Sequence, residues 1–133
     1  MAVKIMAKYV GDDTVELEHG PSGKKIATDL PADNGGKGRT FSPTDLLAAA
    51  LASCILTIMA KAAAKDGLDL KGARIEVEKE MQAGPRRVSR FTGKIVLPAR
   101  LAAEQKEKLK AVVKACPVSA SLHPEVKVEL TVE

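Results

Sequence analysis

Apolar and polar residues alternate with a period of two in three stretches of this chain, and turn residues bound three more apolar stretches, which together predict six strands. Val3 and Ile5, running on to Tyr9-Val10, open the first. Val15 and Leu17 between Thr14, Glu16 and Glu18 form the second, and Lys24 to Asp29 the third. Gly11-Asp12-Asp13 and Pro21-Ser22-Gly23 are the turns between them, so the three are expected to pair as an antiparallel meander. Leu30 to Arg39, with Pro31, Asn34, Gly35, Gly36 and Gly38, reads as a mobile loop, and loops of this kind often carry function. Ala73 to Met81 alternates Ile75 and Val77 with Glu76, Glu78 and Glu80. Val88 to Leu97 returns as its partner after Gly84-Pro85, and Val126, Val128, Leu130 and Val132 form the last strand.

Two stretches have helical periodicity. Ser42-Pro43 is a strong start: Ser suits the N-cap, Pro the first helical position, and Asp45 closes a capping-box-like arrangement. This helix is expected to run to about Lys65 and to stop at Gly67. Apolar residues, many of them alanine, cover nearly its whole circumference until Lys61, which predicts a central, buried helix. Leu101 to Ala115 is amphipathic, with Leu101, Leu109, Val112 and Val113 opposite Glu104, Lys106, Glu107, Lys108 and Lys110. The order βββ-α-ββ-α-β is that of an α+β fold with antiparallel sheets.

The chain's 133 residues suit a single domain spanning 1–133, large enough for its own core. Basic residues (21) barely outnumber acidic ones (17), and both signs are interspersed, as on a solvated surface. Tyr9, Phe41 and Phe91 are the only aromatics, so base stacking is not expected and nucleic acid is not an expected partner. The first ten residues carry Lys4 and Lys8 and lack the apolar run of a signal peptide. Leu46 to Ala64, alanine-rich and interrupted by Lys61, suits a buried helix better than a membrane span. These features predict a cytoplasmic protein without membrane contact, in which thiols stay reduced unless they cycle catalytically.

The candidate chemistry rests on the chain's two cysteines, Cys54 and Cys116. Cys54 lies within the predicted long helix, where the helix dipole does little for it, so it needs a nearby cation to form a thiolate. Arg39, Arg86, Arg87 and Arg90 are the arginines outside the predicted helices that a fold could bring to it. Asp45 lies too far along the helix to touch Cys54 and could orient such an arginine. Cys116 precedes Pro117; if it caps a short helix there, the free N–H groups favour its thiolate. Separated by 62 positions, the cysteines do not form a CxxC motif, so any disulfide must close across the fold. Cys54, Cys116, His19 and His123 have no zinc-ligand spacing, and His123 reads as a surface loop residue, so neither metal nor cofactor is expected.

Ser42-Pro43-Thr44-Asp45-Leu46-Leu47-Ala48-Ala49-Ala50-Leu51-Ala52-Ser53-Cys54, the later Cys116-Pro117-Val118-Ser119 and the element order together resemble the OsmC/Ohr family of small bacterial thiol-dependent peroxidases. The similarity runs from the N-terminal strands to the last strand. It implies an intertwined homodimer with sites at the subunit interface, organic hydroperoxide as substrate and an external thiol or dithiol as reductant. It also implies that Cys54 attacks the peroxide and that Cys116 resolves the product as a Cys54–Cys116 disulfide. Where Ohr-type and OsmC-type members carry Glu ten residues before the first cysteine, this chain has Thr44, and its acid is Asp45. The family's N-terminal arginine has no counterpart before Arg39, so the cation is expected from Arg39, from Arg86 to Arg90, or from Lys24 or Lys25. The expected catalytic set is Cys54, Cys116, Asp45 and Arg39. A non-catalytic redox-sensing or small-molecule-binding protein on the same fold is the alternative, and a dimer with two inert thiols a third.

Overall fold

The computed structural model describes residues 1–133. The chain forms two compact units, Met1–Leu46 and Leu47–Glu133. In the first, strands β1 (Ile5–Gly11), β2 (Thr14–His19) and β3 (Lys25–Asp29) form an antiparallel sheet in the order β1-β2-β3. Gly11 pairs with Thr14 across a two-residue turn in which Asp12 and Asp13 have φ of 53° and 61°. Aspartate tolerates this left-handed conformation because its short side chain bonds locally, and such a turn matches the twist of a hairpin.

Register pairs Ala7 with Leu17, Tyr9 with Val15 and Leu17 with Ile26 on one largely apolar face of the sheet, which Ile5, paired with His19, shares. The opposite face is charged, with Lys25 between Glu16 (3.3 Å) and Glu18 (3.8 Å).

The segment after β3 is cross-tied, contrary to the expectation of a mobile loop. The Gly38 N–H donates to the Leu30 carbonyl, the Gly36 N–H to that of Pro31, and the Asp29 N–H to that of Phe41. Gly36 lies so close to Leu30 that an added Cβ would fall 2.1 Å from the Leu30 carbonyl oxygen.

Helix α1 (Pro43–Lys65) begins and ends where the sequence predicts. Ser42 Oγ accepts from the Asp45 N–H at 3.0 Å, and the Asp45 carboxylate accepts from the Ser42 N–H at 2.9 Å, a reciprocal capping box. At the other end Gly67 has φ of 72°; the Leu68 N–H donates to Ala63 and the Gly67 N–H to Ala64. These two bonds are a Schellman ending, which needs a left-handed residue and so favours glycine.

By length and composition alone α1 is apolar enough to cross a membrane, with mean hydropathy 2.0 over its most apolar window. Its stripe Leu51, Ile55, Met59 and Ala63 is buried in the core of the second unit. This single chain does not show the helix buried all round: Ala50, Ser53, Thr57 and Ala60 are exposed in it. The burial repeats every fourth residue because a single layer packs against the helix.

Strands β4 (Arg74–Gln82), β5 (Arg87–Val96) and β6 (Lys127–Val132) form the second sheet in the order β4-β5-β6. β4 and β5 pair antiparallel, whereas β5 and β6 pair parallel, so the expectation of purely antiparallel sheets is corrected to one antiparallel and one mixed sheet. The cause is the connection: helices α2 (Ala103–Val112) and α3 (Pro117–Ala120), separated by a 3-10 turn at Val113–Ala115, carry the chain back to the start of the sheet. At Gly93, opposite Val77, an added Cβ would fall 2.0 Å from the Glu76 carbonyl oxygen, so only glycine lets β4 and β5 approach this closely. Phe91, Ile95, Leu51, Ile55, Met59, Leu109 and Cys116 are almost fully buried in the core of this unit.

Candidate active site

Both cysteines belong to the second unit, and both are free thiols. Cys54 lies half-buried on α1 and packs against the core cluster that contains Cys116. Cys116 is 1% exposed. It is the N-cap of α3, with Pro117 at the first helical position, and its Sγ accepts from the Ser119 N–H at 3.4 Å. The local sequence produces this directly: Cys116 has an extended backbone (φ −69°, ψ 116°), as a residue preceding proline prefers, while Pro117 is preset for the first helical turn.

Both cysteines pack in the same core, and the proton balance at Cys116 follows from its surroundings. Burial pushes the Cys116 thiol up from its ordinary value. The Ser119 and Val118 N–H groups oppose that shift, and the hydrogen bond and charge of Cys54 add to it. The cap predicted from Cys116-Pro117 is therefore present, but its expected consequence is reversed. Desolvation of a nearly fully buried sulfur outweighs two N–H dipoles at the start of a four-residue helix, and Cys116 keeps its proton.

Arg39 and Asp45 belong to the first unit. The Arg39 guanidinium grips Asp29 through Nε (2.8 Å) and Nη2 (3.0 Å), reaches Asp12 through Nη1 (2.6 Å), and also donates to the Asp12 carbonyl and Thr14 Oγ1. Its own N–H donates to Asp29 at 2.8 Å. These bonds hold the Asp29 carboxyl far below the usual carboxylate range, and Asp12 is lowered by Arg39 and then Lys37. Asp29 is the residue that sequence reasoning missed: an acid at the end of a strand, 2% exposed, is buried because a guanidinium neutralises it. Asp45 caps α1 and lies nine residues before Cys54 on the same helix, about 13.5 Å along its axis.

Three of the other expected cations are also engaged. Arg87 pairs with Glu125 at 2.9 Å, Arg90 pairs with Glu80 and Glu129, and Lys25 sits between two glutamates. His19 Nδ1 bonds Ser22 Oγ at 2.6 Å, and the exposed His123 accepts from the Glu125 N–H through Nδ1 at 3.1 Å. No group of three His, Cys, Asp or Glu side chains converges as metal ligands would.

Residues 36–131, including both cysteines, match the OsmC-like protein family. The chain belongs to the OsmC/Ohr family. This OsmC-like chain is 39% identical to a Psychrobacter arcticus protein described in terms of osmotic stress induction and a detoxification response, with a TM-score of 0.91 over 97% of this chain and 94% of that one. It shares its fold with the Legionella pneumophila organic hydroperoxide resistance protein OsmC at 22% identity, with a TM-score of 0.80 over 100% and 97% of the two chains. It also shares its fold with OhrB of Bacillus subtilis, at 19% identity and a TM-score of 0.69 over 100% and 98%. No curated protein matches the chain.

Proposed function

We propose that this protein is a thiol-dependent peroxidase that reduces organic hydroperoxides. The observation that carries this reading is the packing of a half-buried Cys54 thiol against the core that contains the buried Cys116 thiol. The Cys54 thiolate attacks the distal oxygen of the hydroperoxide. The O–O bond breaks, Cys54 becomes a sulfenic acid, and the departing alkoxide takes up a proton to leave as the alcohol. The Cys116 thiol then condenses with the sulfenic acid, forming the Cys54–Cys116 disulfide and releasing water. An external thiol or dithiol reduces the disulfide through a mixed disulfide and is itself oxidised.

A resolving cysteine suits this sequence when it stays protonated until the sulfenic acid forms, and burial gives Cys116 that property. A second copy of the chain completes the assembly as an intertwined homodimer. The resemblance and the apolar face of the β1-β2-β3 sheet support this, since Ile5, Tyr9 and Ile26 remain more than half exposed in one chain. Arg39 and Asp45 enter the proposal as the arginine and carboxylate of the site. Because Asp29 and Asp12 offset the charge of Arg39, the thiols also require positive charge from their own unit.

The test is a count of free thiols after one equivalent of cumene hydroperoxide, with mass spectrometry of the product. Rapid loss of both thiols to a Cys54–Cys116 disulfide, abolished in Cys54→Ser, is the expected result. Retention of both thiols would refute the peroxidase and favour a binding protein on this fold.

A further inference from the structure

We propose that the first unit carries a binding site for a small neutral alcohol, with an apolar body about one ring in size and with the Thr28 hydroxyl as its polar contact. The site includes neither cysteine and goes beyond the peroxidase reading.

The site is a cavity of about 220 Å³ near the β1-β2 turn. Tyr9 pairs with Val15, and Val15 with Thr28, so these three residues stand in one row on the same face of β1, β2 and β3. All three line the cavity, together with Leu30 and Pro43. Backbone bonds hold these walls in place before any ligand arrives. The Leu30 N–H donates to the Asp13 carbonyl, and the Asp29 N–H to that of Phe41. The Asp13 N–H donates to Tyr9 Oη at 3.2 Å, which fixes the otherwise exposed phenol.

Thr28 is the group the fold leaves unexplained. It is 5% exposed, and its hydroxyl has no hydrogen-bond partner within the chain. Every side-chain nitrogen or oxygen that is sealed from solvent does have one. The Thr28 hydroxyl is therefore not sealed, and the cavity that this residue lines is where it opens. A hydroxyl both donates and accepts, so an alcohol can satisfy it in either direction.

Charge decides between neutral and ionised ligands. Asp29 also borders the cavity, but its four acceptor positions are filled. The Leu30 N–H and Arg39 Nη2 occupy Oδ1, and the Arg39 N–H and Nε occupy Oδ2. Asp29 thus has nothing left to offer a cation, and the exposed Asp13 carboxylate at the rim repels anions. Apolar walls with one free hydroxyl suit a neutral molecule. Size sets the rest: a cavity of about 150 Å³ accepts benzene, so this one has room for a single ring and a hydroxyl.

Tyr9 is the chain's single tyrosine, and there is no tryptophan, so intrinsic fluorescence reports on the cavity wall alone. The experiment titrates the full-length protein with cyclohexanol, which does not itself fluoresce, and with cyclohexanecarboxylate at neutral pH. The expected result is a saturable change with cyclohexanol and none with the carboxylate. Thr28→Val should weaken cyclohexanol binding about fivefold, the worth of one hydrogen bond, and Thr28→Ser should retain it. If Thr28→Val fails to fold, Thr28→Ala removes the same hydroxyl. A change that never saturates, or equal affinity without the hydroxyl, would overturn the proposal. So would the absence of any change because a second copy seated on Tyr9 fills the cavity. No thiol or hydroperoxide enters the titration, so its outcome is independent of the peroxidase reading.

Discussion

Replacing Cys116 separates two roles of one sulfur, resolving thiol and helix cap. Alanine removes an almost fully buried sulfur and leaves a void of roughly one atom, which costs about 1 kcal/mol. It also leaves the Ser119 N–H without its 3.4 Å acceptor, and loss of an N-cap side chain costs about 1 kcal/mol more. Serine keeps an acceptor in the same place and caps at least as well as a thiol, so its cost stays below about 1 kcal/mol. The assay is urea unfolding of the reduced protein in excess dithiol, so that no disulfide contributes. With a slope of about 2 kcal/mol per molar urea, Cys116→Ala should lower the midpoint by about 1 M and Cys116→Ser by less than half of that. Equal midpoints for the two variants would show that the N–H···S bond contributes nothing. A serine variant less stable than alanine would show that the cost of burying a hydroxyl exceeds the gain from capping. Both variants should consume one equivalent of hydroperoxide and stop at an oxidised Cys54 without forming the disulfide.

Ser42→Ala should destabilise the protein by about 1 to 2 kcal/mol in the same urea assay, because the replaced hydroxyl is 1% exposed and half of the α1 capping box is lost. Gly93→Ala should cost about 1 to 3 kcal/mol or reduce soluble yield, since its Cβ falls on the Glu76 carbonyl; an unchanged midpoint would mean that the strands can separate freely. The folded state raises the Cys116 pKa, so this thiol's contribution to stability is complete below the unfolded value and is lost as pH rises through the folded one. The urea midpoint of reduced wild type should therefore fall above about pH 9 relative to Cys116→Ser, and parallel pH profiles would contradict this. Asp29 has the opposite sign: its pKa is depressed, so its contribution is complete above pH about 4 and is lost as pH falls toward the folded value. Asp29→Asn should therefore expose the Leu30–Arg39 segment to limited proteolysis at neutral pH, and an unchanged cleavage pattern would show that the segment does not depend on Arg39.

Most of the secondary structure could be read locally. α1 runs from Pro43 to Lys65 as predicted because both of its ends are written in short-range signals, Ser42-Pro43-Thr44-Asp45 at one end and Gly67 at the other. The cap at Cys116-Pro117 was legible for the same reason, since proline constrains the residue on each side of it. Period-two alternation identified β2, β4 and β6, because a pleated strand sends alternate side chains to opposite faces, and turn residues bounded the other three.

What alternation lacks is a partner. Val126 to Val132 reads the same whether it pairs parallel or antiparallel, and only the crossover through α2 and α3 decided that β6 lies parallel to β5. Lys79, between Glu78 and Glu80, reads as one of a run of solvated charges until its register with Phe91 places it on the inner face. Arg39 carries no mark that Asp29 and Asp12 hold it, because those contacts depend on how the chain folds back after β3. Cys116 shows the division within a single residue. The sequence determined its cap, a matter of two adjacent dihedral preferences, whereas the tertiary structure decided its protonation, because desolvation is summed over every group that excludes water from the sulfur.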